Sequence, residues 1–360
     1  MIQPVNDTLS SVDDKRIESI EEIISPKELV EKYPLDEATE QFIELSRISV
    51  SNIINLQDDR LLVVTGPCSI HNVDEALEYA KLLQSIKEEN PHLFLVMRTY
   101  FEKPRTTVGW KGLLNDPHLD DSCDIDAGLH IARELLLKIN QMGIPTAVEF
   151  LDTITPQYIG DLVTWGAIGA RTTESQEHRK LVSGLSMPVG FKNGTSGDIQ
   201  IAIDAIKSSR GKHSFPSVTK GGKVAKVTTS GNPDGHIILR GGASGPNYSE
   251  EDIKKTAHIL KGSMLRTGVV VDASHGNSQK DYKNQPIVSA EIARQIAAGN
   301  QKIVGIMIEG NLNEGNQPLS DDLLPGVSVT DACVNWETNK KMITGLNKAV
   351  EIRTSKKIKA

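Results

Sequence analysis

FLVMRTYFEKPRTTVGWK, residues 94 to 111, passes within a few positions from a water-avoiding run to a dense group of cations. Phe94, Leu95, Val96 and Met97 are long enough for a strand buried on both faces, as in a parallel sheet, and too short for a typical helix. Arg98, Lys103, Arg105 and Lys111 follow, Pro104 fixes the backbone among them, and Glu102 is the one local counter-charge. Such a junction reads either as an anion site at a strand end or as a solvated basic loop. Repetition of the same ending elsewhere in the chain favours the first.

Working outward, eight short apolar runs are each followed by small or polar residues: 61–66 (LLVVTG), 94–98 (FLVMR), 146–149 (TAVE), 167–171 (AIGAR), 189–192 (VGFK), 236–240 (HIILR), 269–272 (VVVD) and 303–309 (IVGIMIE). Helical stretches lie between most of them. Together they occupy close to the 250 or so residues of a (β/α)8 barrel. The expected fold is therefore α/β, a (β/α)8 TIM barrel over residues 61–350 with an N-terminal extension and an inserted β-hairpin. A doubly wound open sheet is the alternative. Against it, no GxGxxG follows the first run and no GxxxxGK[ST] occurs.

The hairpin, about 212–235, is read from FPSVTKGGKVAKVTT at 215–229, two strands joined at Gly221-Gly222, which permits the positive φ angles of a tight turn. Residues 1–60 form the extension, with helical spacing of apolar residues in 16–24 and 38–54, and read as an oligomer contact or regulatory arm.

A net charge of -7 argues against nucleic-acid and membrane-surface partners, because nothing outside the strand ends reads as a basic stripe. The three cysteines are far apart and include no CxxC, so neither a disulfide framework nor a zinc-finger module is indicated, and a reducing cytoplasm is expected. No apolar signal core opens the chain, and no run approaches the roughly 18 apolar residues of a membrane span.

Barrel enzymes place their active sites at the C-terminal ends of the strands. Here those ends present Cys68, Arg98, Glu149, Arg171, Lys192, Arg240, His275 and Glu309, with Asp331 in the segment after the last run. The cations, with Lys103 and Arg105, match two phosphates of about -1.5 to -2 each, or a phosphate with a carboxylate. Arg171 precedes Thr172, Thr173 and Glu174, a helix start whose free N–H groups would also favour anions. Cys68, His275, Glu309 and Asp331 offer thiolate, imidazole and two carboxylates, a reasonable ligand set for a divalent metal. These mixed donors do not select among Mn, Fe, Co, Zn and Cu. Taken singly, Cys68 also reads as a small buried residue and His275 as a loop histidine.

GPCSIHN (66–72), MRTYFEKPRTTVGWKGLLNDPHLD (97–120), WGAIGARTTESQ (165–176), GFKNGTSG (190–197), HIILRGG (236–242), DASHGNSQKDY (272–282), IEGNLNEGNQ (308–317) and SVTDACVNWE (328–337) resemble the type I 3-deoxy-D-arabino-heptulosonate 7-phosphate (DAHP) synthases. The resemblance implies a metal-containing barrel that condenses phosphoenolpyruvate with erythrose 4-phosphate and water to give DAHP and phosphate, the first step of the shikimate pathway. It also implies a homodimer or homotetramer under feedback control by an aromatic amino acid, tyrosine or phenylalanine being the first choices.

Carried over residue by residue, it gives Cys68, His275, Glu309 and Asp331 as metal ligands, and Arg98, Lys103, Arg171, Lys192 and Arg240 on phosphoenolpyruvate. Arg105 and Thr106 would hold the phosphate of erythrose 4-phosphate. Arg98 and Lys192 count also as catalytic, with Lys103, or a water on the metal, as proton donor and Glu149 orienting the water that adds. The effector would meet Gln157, Leu185, Ser186, Phe215, Ser217 and Val227. The rival readings are a Schiff-base aldolase working through Lys192, a non-catalytic phosphometabolite sensor, and the related 8-phosphate synthases, which KPRTTVGWKG disfavours.

Overall fold

A computed structural model describes residues 3–4, 13–105 and 109–359. Eight parallel strands close into a barrel: β1 (Leu61–Gly66), β2 (Leu93–Arg98), β3 (Thr146–Glu149), β4 (Trp165–Ile168), β5 (Val189–Lys192), β6 (Gly235–Leu239), β7 (Val269–Asp272) and β8 (Ile303–Glu309). They follow one another around the barrel in chain order, and β8 pairs back onto β1. Two strand ends differ from the sequence reading. β4 stops at Ile168 rather than Arg171, because Gly169 turns the chain: its carbonyl accepts the N–H groups and hydroxyls of Thr172 and Thr173. β6 stops at Leu239, one residue before Arg240.

Alternation along the strands builds two cores. Leu61, Val63, Leu95 and Met97 face the surrounding helices, while Leu62, Val64, Val96, Ala147, Trp165, Ala167, Ile238 and Val270 fill the interior. Trp165 donates its indole N–H to His236 Nε2 at 3.0 Å, and His236 Nδ1 faces the Asp234 carbonyl at 2.9 Å. Burial pushes the His236 pKa down to about 4, so the ring stays neutral and serves as an acceptor inside the barrel.

The helix Glu37–Ile54 closes the N-terminal mouth. Asp36 caps its start by accepting the Thr39 N–H. Its last turns carry Val50, Ile53 and Ile54 into the interior cluster, and the Gly268 N–H donates to the Ile54 carbonyl at 2.8 Å. Each such side chain contributes about 1.5–3 kcal/mol by leaving water. With this end sealed, the chemistry is left to the opposite mouth.

The insertion is a two-stranded antiparallel hairpin, Ser214–Val218 with Val224–Thr228, turning at Gly222 with φ +75. Its tip meets the N-terminal region, where the Lys220 carbonyl accepts the Lys27 N–H at 2.7 Å, at the start of the helix Pro26–Lys32. Among the described residues no helix is long and apolar enough to cross a membrane.

Candidate active site

Strand periodicity explains why charge collects at one mouth. Side chains two positions apart face the same way, so the inward residues Val96, Ala147, Gly190, Ile238 and Val270 are succeeded inward by Arg98, Glu149, Lys192, Arg240 and Asp272. Above the apolar filling lies a charged layer. Over it opens a cavity of about 520 Å³, lined among others by Lys103, Arg105, Glu149, Arg171, Lys192, Arg240, His275 and Asp331.

The cations are held in different ways. Lys192 is nearly buried, with Nζ 3.2 Å from Asp272 Oδ2 and 3.9 Å from Glu149 Oε2. Arg105 is fixed at the rim by donating its Nε–H to the Trp110 carbonyl at 2.7 Å. Arg171 sits in the turn that ends β4 and not at the helix start that its sequence suggests. The next helix begins at Gln176, because the Thr172 and Thr173 hydroxyls fold back onto the Gly169 carbonyl. Gly169 also makes room for the Glu149 carboxylate, since a Cβ there would lie 2.4 Å from Glu149 Oε1. Thr106 lies outside the described residues.

Arg98 stands deeper than the cavity wall. Its Nη2 pairs with Glu309 Oε1 at 3.1 Å, its guanidinium stacks 4.0 Å from the Tyr100 ring centroid, and its Nη1 is buried with no hydrogen-bond partner among the described residues. Burial works against the charge, but Tyr100 and Glu309 keep its pKa above the usual arginine range.

Three of the four expected metal ligands converge on the cavity floor. Donor atoms of Cys68, Glu309 and Asp331 all lie within 4.8 Å of one another, near the spacing of about 4.6 Å at most that ligands 2.0–2.3 Å from one ion can have. His275 stands beside them, with Nε2 3.9 Å from Glu309 Oε1. Burial opposes the Glu309 charge, yet His275, Arg98 and Lys103 overcome it and hold its pKa down to about 2, a carboxylate ready to ligate. Cys68 is different. Burial first, and Glu309 second, push the thiol up to about 11, although the Lys103 ammonium lies 3.0 Å from its sulfur. A sulfur and two carboxylates meeting around one point, with an imidazole nitrogen beside them, fit a divalent transition metal.

Comparison with known proteins adds the identity. The model of the DAHP synthetase I family matches residues 33–344. The chain belongs to the DAHP synthetase I family. It is similar to the Phe-sensitive phospho-2-dehydro-3-deoxyheptonate aldolase of Escherichia coli strain K12, 53% identical over 95% of this chain and 98% of that protein. The Tyr-sensitive enzyme of the same strain is 52% identical over 89% of this chain and 91% of its own. The Trp-sensitive enzyme of Salmonella typhimurium is 48% identical over 96% of this chain and 100% of its own. Among solved structures, the phospho-2-dehydro-3-deoxyheptonate aldolase of Francisella tularensis superimposes with a TM-score of 0.91 at 49% identity, covering 93% of this chain and 98% of that one. The fold expected from the eight runs is thus the fold of a DAHP synthetase I family enzyme.

The residues expected to meet an effector lie away from this mouth. Phe215, Ser217 and Val227 share one half-buried face of the hairpin, with Phe215 directly opposite Val227. The Gln157 carbonyl accepts the Lys220 ammonium. Leu185 packs on the core, and Ser186 lines a second cavity of about 580 Å³ beside the helix Glu37–Ile54.

Sequence reading missed Asp272, which ends β7 fully buried between Lys192 and His275. The signal was present: VVVD ends in a carboxylate at the inward position. It also missed Ser274, whose hydroxyl donates to Glu309 Oε2 at 2.8 Å, and Lys280 on the cavity wall.

Proposed function

We propose that the chain condenses phosphoenolpyruvate with D-erythrose 4-phosphate and water to give DAHP and phosphate, and that it needs a divalent metal to do so. The observation that carries this reading is the joining of a cationic cavity lining to a sulfur and carboxylate cluster with the His275 imidazole beside it. A phosphorylated enol acid needs the first, and an aldehyde that must accept a carbon nucleophile needs the second.

Lys103, Arg171, Lys192 and Arg240, backed by Arg98, hold the carboxylate and phosphate of phosphoenolpyruvate, and Arg105 with Thr106 takes the phosphate of the second substrate. Fixing both turns a two-body encounter into an oriented one. A metal held by Cys68, His275, Glu309 and Asp331 would supply Lewis-acid polarisation of the aldehyde oxygen. C3 of the enol then bonds to the aldehyde carbon, and Lys103 protonates the resulting alkoxide. Lys103 stands in its ammonium form, the one that can give a proton, because burial opposes the charge but Cys68, Glu309 and Asp331 raise its pKa above the usual lysine range. Water, oriented by Glu149, adds at C2, and the C–O bond to phosphate breaks to release phosphate and leave the 2-keto acid. Lys192 is an ion-paired ammonium between Asp272 and Glu149, whereas a Schiff-base lysine works as a free amine.

Feedback inhibition by an aromatic amino acid at the hairpin and N-terminal region belongs to the same reading, with tyrosine or phenylalanine preferred; the similar enzymes are named for sensitivity to phenylalanine, tyrosine and tryptophan. So does a homodimer or homotetramer, supported by exposed Ile17, Ile20 and Ile23 near the N-terminus, Leu45 and Ile48 on the long helix, and Val224 on the hairpin. Three free cysteines accord with a cytoplasmic setting.

The test follows phosphate released from phosphoenolpyruvate carrying ¹⁸O in its bridging C–O position. Release that requires erythrose 4-phosphate, with the label in the phosphate, supports the reading. Label retained in the organic product, or release without the aldehyde, contradicts it.

A further inference from the structure

We infer that Asp272 is a positioning residue that ties the metal-ligand side of the site to the anion-binding side, by sharing one carboxylate oxygen between His275 and Lys192. The inference rests on the function proposed above, and assigns a role to a residue that does not line the cavity and touches no substrate.

Asp272 Oδ2 lies 2.9 Å from His275 Nδ1 and 3.2 Å from Lys192 Nζ. The carboxylate cannot turn away freely. Its Oδ1 accepts the Ser274 N–H at 3.0 Å, and its backbone carbonyl accepts Asn277 Nδ2 at 2.8 Å. His275 is held in the left-handed region at φ +56, a conformation that a non-glycine residue keeps only when its surroundings fix it. His275 Nδ1 and Asp272 Oδ2 are both buried and neither makes a hydrogen bond of regular geometry among the described residues, so their ion-pair approach is the polar contact left to Nδ1.

An ionised carboxylate only accepts, so the proton between these atoms belongs to Nδ1, and the lone pair is left on Nε2, the atom that faces Glu309. Asp272 thereby presents His275 in the tautomer a metal requires. The same oxygen draws on Lys192. When His275 Nε2 gives its lone pair to a cation, Nδ1–H becomes a stronger donor and claims more of Oδ2, which leaves Lys192 less neutralised toward an incoming anion. Metal and phosphoenolpyruvate should then tighten each other's binding, by equal factors.

The experiment measures Mn²⁺ affinity by titration calorimetry, with and without phosphoenolpyruvate, for wild type and Asp272→Asn, alongside turnover and the thermal midpoint of each. The expected results are a loss of about 10- to 100-fold in Mn²⁺ affinity in the variant, and a coupling factor that falls from severalfold in wild type to near one. A general loss of packing would lower the thermal midpoint without removing the coupling factor. A folded variant that keeps wild-type Mn²⁺ affinity and wild-type coupling overturns the inference while leaving the proposed function intact. Wild type that neither binds Mn²⁺ nor turns over removes both. Should the variant not fold, ¹⁵N NMR of wild-type His275, assigned by His275→Gln, decides: a protonated Nδ1 with a bare Nε2 supports the inference, and the opposite tautomer overturns it.

Discussion

The Lys103 ammonium lies 3.0 Å from the Cys68 sulfur, on the floor where Glu309 and Asp331 also converge. An ammonium and a thiol are thus neighbours in a place where burial pushes the thiol up to about 11. The pair has a measurable consequence whenever a metal enters.

Only the thiolate ligates, so Cys68 must give up its proton on metal binding. Because its pKa lies far above neutral, Mn²⁺ binding at pH 7 should release about one proton, and affinity should rise with pH through the neutral range. Comparing calorimetric enthalpies in buffers of different ionisation heat counts that proton. Cys68→Ser should lose metal retention and turnover together, and full activity with unchanged metal content would remove Cys68 from the ligand set.

Arg105 is exposed at the rim and, among the described residues, is anchored by the Trp110 carbonyl. Arg105→Ala should raise KM for erythrose 4-phosphate by tenfold or more, as loss of one charged hydrogen bond of about 1.5–3 kcal/mol implies. KM for phosphoenolpyruvate should stay within twofold. Equal damage to both constants would place Arg105 elsewhere in the site.

Glu102 carries the clearest pH signature of stability. Burial, and then the charge of Asp152, push its pKa up to about 7, and its Oε2 is buried without a hydrogen-bond partner among the described residues. Between the unfolded value near 4.5 and 7 the folded state binds the extra proton, so stability falls as pH rises through that window. Glu102→Gln should therefore stabilise the protein at pH 8 by about 3 kcal/mol, the equivalent of a shift of about 2.5 units, and leave it unchanged at pH 4. Chemical denaturation at both pH values measures this; no gain at pH 8 would mean the carboxylate finds a partner in solution.

Phe215 and Val227 face each other across the hairpin, and neither lines the cationic cavity. Titration with phenylalanine, tyrosine and tryptophan should find one that inhibits, and Phe215→Ala should raise its inhibitory concentration at least tenfold with kcat unchanged. Undiminished inhibition in this variant would move the effector off the hairpin.

Much of this molecule was legible before folding. The barrel could be read because strands buried on both faces are short continuous apolar runs, and eight of them at such spacing admit few architectures. The cationic lining of the cavity could be read because four of the runs end in Arg98, Arg171, Lys192 and Arg240, three of which line it. What could not be read depends on the third dimension. FLVMR does not reveal that Arg98 turns behind Glu309, since their contact joins β2 to β8. ARTTES looks like a helix start until the Gly169 carbonyl is seen to accept both threonine hydroxyls. Asp272 was in view as the end of VVVD, but its meaning comes from Lys192 and His275, which reach it from β5 and from the turn after β7. Nor does the spacing of apolar residues in 38–54 show that Val50, Ile53 and Ile54 plug the barrel rather than lie across its flank.

If one floor serves both a metal and two anionic substrates, turnover must depend on the metal. The most direct test is phosphoenolpyruvate consumption with erythrose 4-phosphate, measured with the protein as isolated, after chelation, and after adding back Mn²⁺. Turnover lost to the chelator and restored by the metal is the predicted result. Turnover indifferent to chelation would contradict the role given to Cys68, His275, Glu309 and Asp331.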